Sequence, residues 1–129
     1  MSSPSSEKPL PLPCIRTRIK ICGLTREQDV DAAVAAGADA IGFVLYAPSP
    51  RAVTPQRAAE LAARLPPFVT PVLLFVNESA SNIIAASALL AGATIQFHGD
   101  ETPAECLAAT LGGARPFLRA ARIPLGDGA

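Results

Sequence analysis

The chain has 129 residues, half of them hydrophobic, and eleven basic residues balance eleven acidic ones. That length and composition suit one domain with its own core and exclude wholesale disorder. A net charge of zero argues against nucleic acid or an anionic membrane as the main partner, and no apolar run reaches the ~18 residues of a membrane-spanning helix.

The cysteines Cys14, Cys22 and Cys106 are odd in number, scattered and without CxxC spacing, and His98 is the single histidine. This pattern fits free thiols in a reducing, cytoplasmic setting rather than a disulfide framework or a structural zinc site. Serine and proline dominate Met1 to Pro13, which lacks the apolar segment of a secretory signal. Residues 1–17 are therefore expected to be a disordered Ser/Pro-rich tail and residues 18–129 the folded domain.

From Arg18 onward strand-like and helix-like segments alternate. Arg18 to Cys22 reads as a short strand. Thr25 and Gln28 have capping-box spacing, with Val30, Ala33 and Val34 on one face of the helix that follows, up to Gly37. Asp39 to Tyr46 is a second, nearly all-apolar strand. Thr54-Pro55 pairs an N-cap with proline at the first helical position, and Ala58, Leu61, Ala62 and Leu65 form an amphipathic stripe that Pro66-Pro67 stops. Val69 to Val76 is a third strand, followed by a helix capped by Ser79 or Ser81 and ending near Gly92. Ala93 to Phe97 is a fourth strand, Thr102 and Glu105 form another capping box, and Pro116 to Ala120 is a fifth strand.

Near-continuous apolar strands alternating with helices predict an α/β protein with a parallel sheet buried on both faces. Ala-Gly-Ala precedes both the second and fourth strands, a weak internal repeat. The pattern alone does not separate a doubly wound sheet from a (β/α)8 barrel. The absence of GxGxxG after the first strand and of GxxxxGK[ST] lowers the dinucleotide and P-loop readings.

In either architecture function collects at the C-terminal ends of the strands. Cys22 sits at one such end, before Gly23. A thiol there acts as nucleophile or base if nearby positive charge lowers its pKa from about 8.5, or else simply fills a small buried space. His98, between a strand end and Gly99, is either a structural histidine or a site residue. Arg51, in a proline-flanked loop, either holds an anionic substrate or is solvated. Asn77 and Gln96 are possible donors, and Arg119 and Arg122 lie near the fifth strand's end. Asp100 and Glu101 are either a catalytic pair or, as the favoured reading, carboxylates that suit a helix dipole, and Cys14 and Cys106 read as structural.

Lys20-Ile21-Cys22-Gly23-Leu24-Thr25, Gly37-Ala38-Asp39-Ala40-Ile41-Gly42-Phe43, Ser49-Pro50-Arg51, Phe75-Val76-Asn77 and Gln96-Phe97-His98-Gly99-Asp100-Glu101 together resemble the phosphoribosylanthranilate isomerases of tryptophan biosynthesis. Order and spacing agree from about Arg18 to Ile123. The resemblance implies a (β/α)8 barrel and an Amadori rearrangement of N-(5-phosphoribosyl)anthranilate to the 1-deoxyribulose 5-phosphate ketone, with no metal or organic cofactor. It gives Cys22 the role of general base at C2, places Arg51 near the anthranilate group, and makes His98 a lining residue of the same pocket. The small-molecule phosphosugar is the implied partner; nucleic acid and membrane are not.

Departures accompany the matches. The family's general acid is an aspartate ending the sixth strand, and its phosphate loops follow the seventh and eighth. Neither has a counterpart in this chain, and Asp127 lacks the motif context. Phe97 and Thr94 also differ from the family's usual residues. The expectation is a barrel truncated to about four βα units plus a fifth strand, with doubtful activity of its own. Five strands cannot close an eight-stranded barrel, so the first and fifth would be open edges. The alternative is an inactive half-barrel that self-associates or binds a partner through those edges. A third reading, another phosphosugar barrel enzyme such as an epimerase, is disfavoured by the KICGLT motif.

Overall fold

The computed structural model describes residues 15–126. Five strands, β1 (Lys20–Cys22), β2 (Ala40–Val44), β3 (Thr70–Phe75), β4 (Thr94–Phe97) and β5 (Phe117–Arg119), alternate with four helices, α1 (Glu27–Ala35), α2 (Pro55–Ala62), α3 (Ala80–Ser87) and α4 (Pro103–Ala109). The strands form one parallel sheet whose spatial order is the chain order. A doubly wound sheet reverses its strand order at a switch point. Sequential order without reversal is the arrangement of a (β/α) barrel, which settles what the pattern left open.

The elements end where local chemistry says they should, with two exceptions. Thr54 Oγ1 accepts from Arg57 N at 3.1 Å, and Ser79 Oγ from Asn82 N at 3.3 Å. Thr102 and Glu105 complete a reciprocal box at 2.8 and 3.1 Å. The expected box at Thr25 does not form. The N-cap of α1 is Arg26, which makes no side-chain cap bond. Two long side chains override the local signal: the Arg26 guanidinium holds Asp29 at 2.8 and 3.0 Å, and the Thr25 carbonyl accepts from Arg57 Nη2 at 3.3 Å. The α3 helix also stops at Ser87, short of Gly92, and its Ser87 hydroxyl donates back to the Ile83 carbonyl at 2.6 Å.

Parallel registry aligns one row of side chains, Phe43, Leu73, Ile95 and Phe117, and a second, Phe75 and Phe97, across neighbouring strands. With Ile41 they face the helices, where Val30, Leu61, Ile83 and Cys106 meet them in a single core. Phe97 and Phe117 pack edge to face, with ring centroids 5.6 Å apart. Burial pushes the Cys106 thiol pKa up, as befits a small apolar core group.

Outside this core, arginines tie α2 to α1. Arg57 forks onto Glu27 at 2.7 and 2.8 Å, and Arg64 Nε reaches Asp31 at 2.9 Å. The hydrogen bonds from Arg57 hold the Glu27 pKa down at about 2. Asp39 is held at about 2 by Arg16 first, and then by the Ile19 backbone N–H at 2.8 Å. Arg16, in the last residues of the expected tail, is thus anchored. Residues 1–14 of that tail, with Cys14, and Asp127 lie outside the described residues.

Candidate active site

Side chains alternate along a strand with period two. The residues between the helix-facing ones therefore point to the opposite side of the sheet. This places Lys20 and Cys22 on the same side as Val44, Leu74 and Gln96. Lys20 Nζ donates to Gln96 Oε1, although β2 and β3 lie between their strands. Strands pack about 4.8 Å apart, so a flat sheet would separate β1 from β4 by roughly 14 Å. The contact requires the sheet to curl, with these residues on its concave side.

A cavity of about 490 Å³ occupies that side at the C-terminal strand ends, lined by Cys22, Arg51 and His98 together with Lys20, Tyr46, Gln96 and Arg122. The three residues singled out from the sequence, drawn from three different strand ends, come to one place. Cys22 is half-buried, while Arg51 and His98 are exposed. The Arg51 guanidinium donates to the Cys22 carbonyl at 3.2 Å, and the Arg51 backbone N–H to Ser49 Oγ at 3.1 Å. Gly23 makes this approach possible. Its φ of +84° suits glycine, and a Cβ there would strike the arginine, 2.8 Å from Cδ. Gly42 does the same for the thiol, since a Cβ at that position would lie 2.8 Å from Cys22 Sγ.

Lys20, Arg51 and Arg122 line the cavity, and no carboxylate is among its walls as formed by the described residues. Such a site attracts anions and offers several N–H donors to them. A larger cavity of about 570 Å³ lies against α2 and α3 on the outer surface. Its walls are mostly apolar, with Glu78 its one charged side chain, so it lacks the convergent polar groups of a reaction centre.

The other sequence candidates separate. Gln96 joins the cavity; Asn77 does not, and its side chain accepts from the Asp100 N–H at 2.9 Å. Arg122 lines the cavity, whereas Arg119 turns to the helix side and donates to the Glu101 carbonyl at 2.8 Å. Glu101 is not a helix-dipole carboxylate. It lies before the N-cap, 6% exposed, and accepts from Asn77 N and Gly99 N. Lys20 and Gly42 were missed as site residues. The period-two alternation that couples Lys20 to Cys22 was the available signal for the lysine.

A sequence model described as N-(5'phosphoribosyl)anthranilate (PRA) isomerase matches residues 19–122. The chain belongs to this family. It is 63% identical over 112 residues to the N-(5'-phosphoribosyl)anthranilate isomerase of Methylibium petroleiphilum, covering 87% of this chain and 51% of that protein. The Dechloromonas aromatica isomerase is also 63% identical, over 109 residues, covering 84% of this chain and 50% of its own length. A phosphoribosyl anthranilate isomerase crystallised with reduced 1-(o-carboxyphenylamino)-1-deoxyribulose 5-phosphate superposes with a TM-score of 0.79 at 34% identity, over 84% of this chain and 55% of that one. The Thermus thermophilus isomerase gives 0.76 at 33%, over 83% and 52%. The PRA isomerase family thus accounts for the sequential parallel sheet. This chain spans about half the length of the curated relatives it matches.

Proposed function

We propose that the cationic cavity binds the anthranilate-bearing phosphosugar on which the related isomerases act, and that Cys22 is the general base of an Amadori rearrangement there. The observation that carries this reading is the convergence of Cys22, Arg51 and His98 on one cavity that, among the described residues, has no carboxylate in its walls. The substrate has a carboxylate at one end and a phosphate at the other, so a site walled by Lys20, Arg51 and Arg122 complements both charges. The Arg51 guanidinium spends one nitrogen on the Cys22 carbonyl. Its remaining donors and its flat face suit an aromatic carboxylate, by hydrogen bonding and by stacking.

The chemistry asks little of the base. Once the ribose ring has opened to the Schiff base, the protonated imine acidifies C2. Cys22 Sγ takes that proton, the electron pair moves to the nitrogen, and the resulting enolamine tautomerises to the ketone. Ring opening needs an acid at the ring oxygen. None of the described cavity walls is a carboxylic acid. A reducing cytoplasm is the matching setting for a working thiol.

The test is a chimera in which this chain replaces the corresponding half of the Methylibium petroleiphilum relative. Turnover of phosphoribosylanthranilate is followed by loss of its fluorescence. Cys22→Ala should lower kcat by about 10²–10⁴, the usual worth of a positioned base. Unchanged turnover would remove Cys22 from the mechanism.

A second reading rests on the sheet edges. Among the described residues β1 and β5 are each paired on one side only, and Ile19, Ile21 and Leu118 at or beside them are exposed. Unpaired parallel edges recruit other strands, so the chain would self-associate. Sedimentation of the whole chain distinguishes the two: a discrete dimer supports association and a monomer contradicts it.

A further inference from the structure

We propose that Glu101 is a positioning residue, which with Asn77 clamps the β3 and β4 loops and fixes His98 at the cavity wall. The proposal rests on the reading of His98 as a substrate-facing residue.

Two peptide planes flank His98, and both are held. The plane before it is fixed by the His98 N–H, which donates to the Phe75 carbonyl at 2.9 Å. The plane after it is fixed by the Gly99 N–H, which donates to Glu101 Oε1 at 2.8 Å. The other carboxylate oxygen, Oε2, accepts from the Asn77 N–H at 2.7 Å. One side chain therefore bridges the loop after β3 to the loop after β4. Asn77 closes the bridge from its own side by accepting from the Asp100 N–H at 2.9 Å. A third strand joins through Arg119, which donates to the Glu101 carbonyl.

The clamp is built tightly. Glu101 is buried, and charge-assisted bonds to backbone N–H groups are the stronger kind. Asn77 has a φ of +49°, a conformation that asparagine tolerates better than most residues. Its side chain lies so close to Gly99 that a Cβ there would come within 2.6 Å of Oδ1. Glycine at 99 is therefore required by the clamp, not by freedom of a hinge. Neither Glu101 nor Asn77 lines the cavity. They act on it through the backbone of His98, whose imidazole is exposed.

His98 is the single histidine, so its imidazole NMR signals need no assignment by mutation. The experiment uses the whole chain, labelled with ¹³C and ¹⁵N, and the variant Glu101→Gln. Replacing one carboxylate oxygen by an NH2 group and removing the charge from the other should speed hydrogen exchange of the Asn77 and Gly99 amides by about tenfold or more, leaving Phe43 and Leu73 unchanged. The His98 imidazole signals should shift, and affinity for reduced 1-(o-carboxyphenylamino)-1-deoxyribulose 5-phosphate should fall. If the two amides are released while the imidazole signals stay at their wild-type positions, Glu101 is only a loop brace and the proposal is overturned. If the wild-type chain does not bind the analogue, the functional reading fails, while the imidazole signals still decide the clamp. If Glu101→Gln does not fold, Asn77→Gly decides it. Glycine keeps the left-handed backbone and removes only the acceptor for the Asp100 N–H, so the same imidazole signals should move. Their constancy would overturn the proposal.

Discussion

The two faces of the sheet are made from the same strands and do opposite work. On the helix side, Ile41, Phe43, Leu73 and Ile95 are 0% exposed and belong to one apolar core. On the concave side the alternate residues include Lys20, Cys22 and Gln96, and the loops add Arg51, His98 and Arg122. Stability resides on the first face and candidate chemistry on the second. A two-residue period is enough to segregate them, because a strand sends successive side chains to opposite sides.

The sharpest break between the faces is Phe43→Ala, which should cost about 3–5 kcal/mol of folding stability. Leu118→Ala, on the concave side of an edge strand and half exposed, should stay within about 0.5–1 kcal/mol. Urea denaturation of the two variants checks this, and equal losses would erase the distinction. Gly42→Ala probes the seam between the faces. The added methyl meets Cys22 Sγ and should cost about 1–3 kcal/mol by overpacking. It should also change the rate of Cys22 alkylation, measured by mass spectrometry, which a purely structural loss would not do in the folded fraction.

The smallest effect belongs to the outer ion pairs. Glu27 and Asp39 titrate at about 2 in the folded protein, below their ordinary 4.5 and 3.8. A depressed carboxylate stabilises the fold above its unfolded pKa and loses that contribution as pH falls through the folded one. Melting temperature should therefore decline from about pH 5 towards pH 2. Glu27→Gln should flatten part of that decline. The pairs are solvent-exposed and screened, so the change should be modest and smaller still in high salt.

Much of this division was legible in the sequence, and what was missed has a common cause. Thr54, Ser79 and Thr102 act on backbone three residues away, so a local reading finds them. Strand ends are equally local, so Cys22 and His98 could be placed at them and Arg51 in the loop after the second strand, while the roles expected of all three came from the family resemblance. Thr25 failed as a cap because Arg57, distant in sequence, takes its carbonyl. Glu101 was misread because its partners, Asn77 and Gly99, meet it only once β3 and β4 lie side by side. Asn77 was drawn away from the cavity by the same loop junction. Local rules found the elements and their ends; contacts between strands decided which polar residues face the cavity.

The most direct test of a substrate site on the concave face is a fluorescence titration of the whole chain with reduced 1-(o-carboxyphenylamino)-1-deoxyribulose 5-phosphate, alongside Arg51→Ala and Arg64→Ala. Arg64, in the turn after α2, pairs with Asp31 of α1 on the outer side. The account predicts saturable binding that Arg51→Ala weakens by about tenfold or more, as expected for loss of a charge-assisted contact, and that Arg64→Ala leaves unchanged. Equal behaviour of the two variants, or no saturable binding by the wild-type chain, would contradict it.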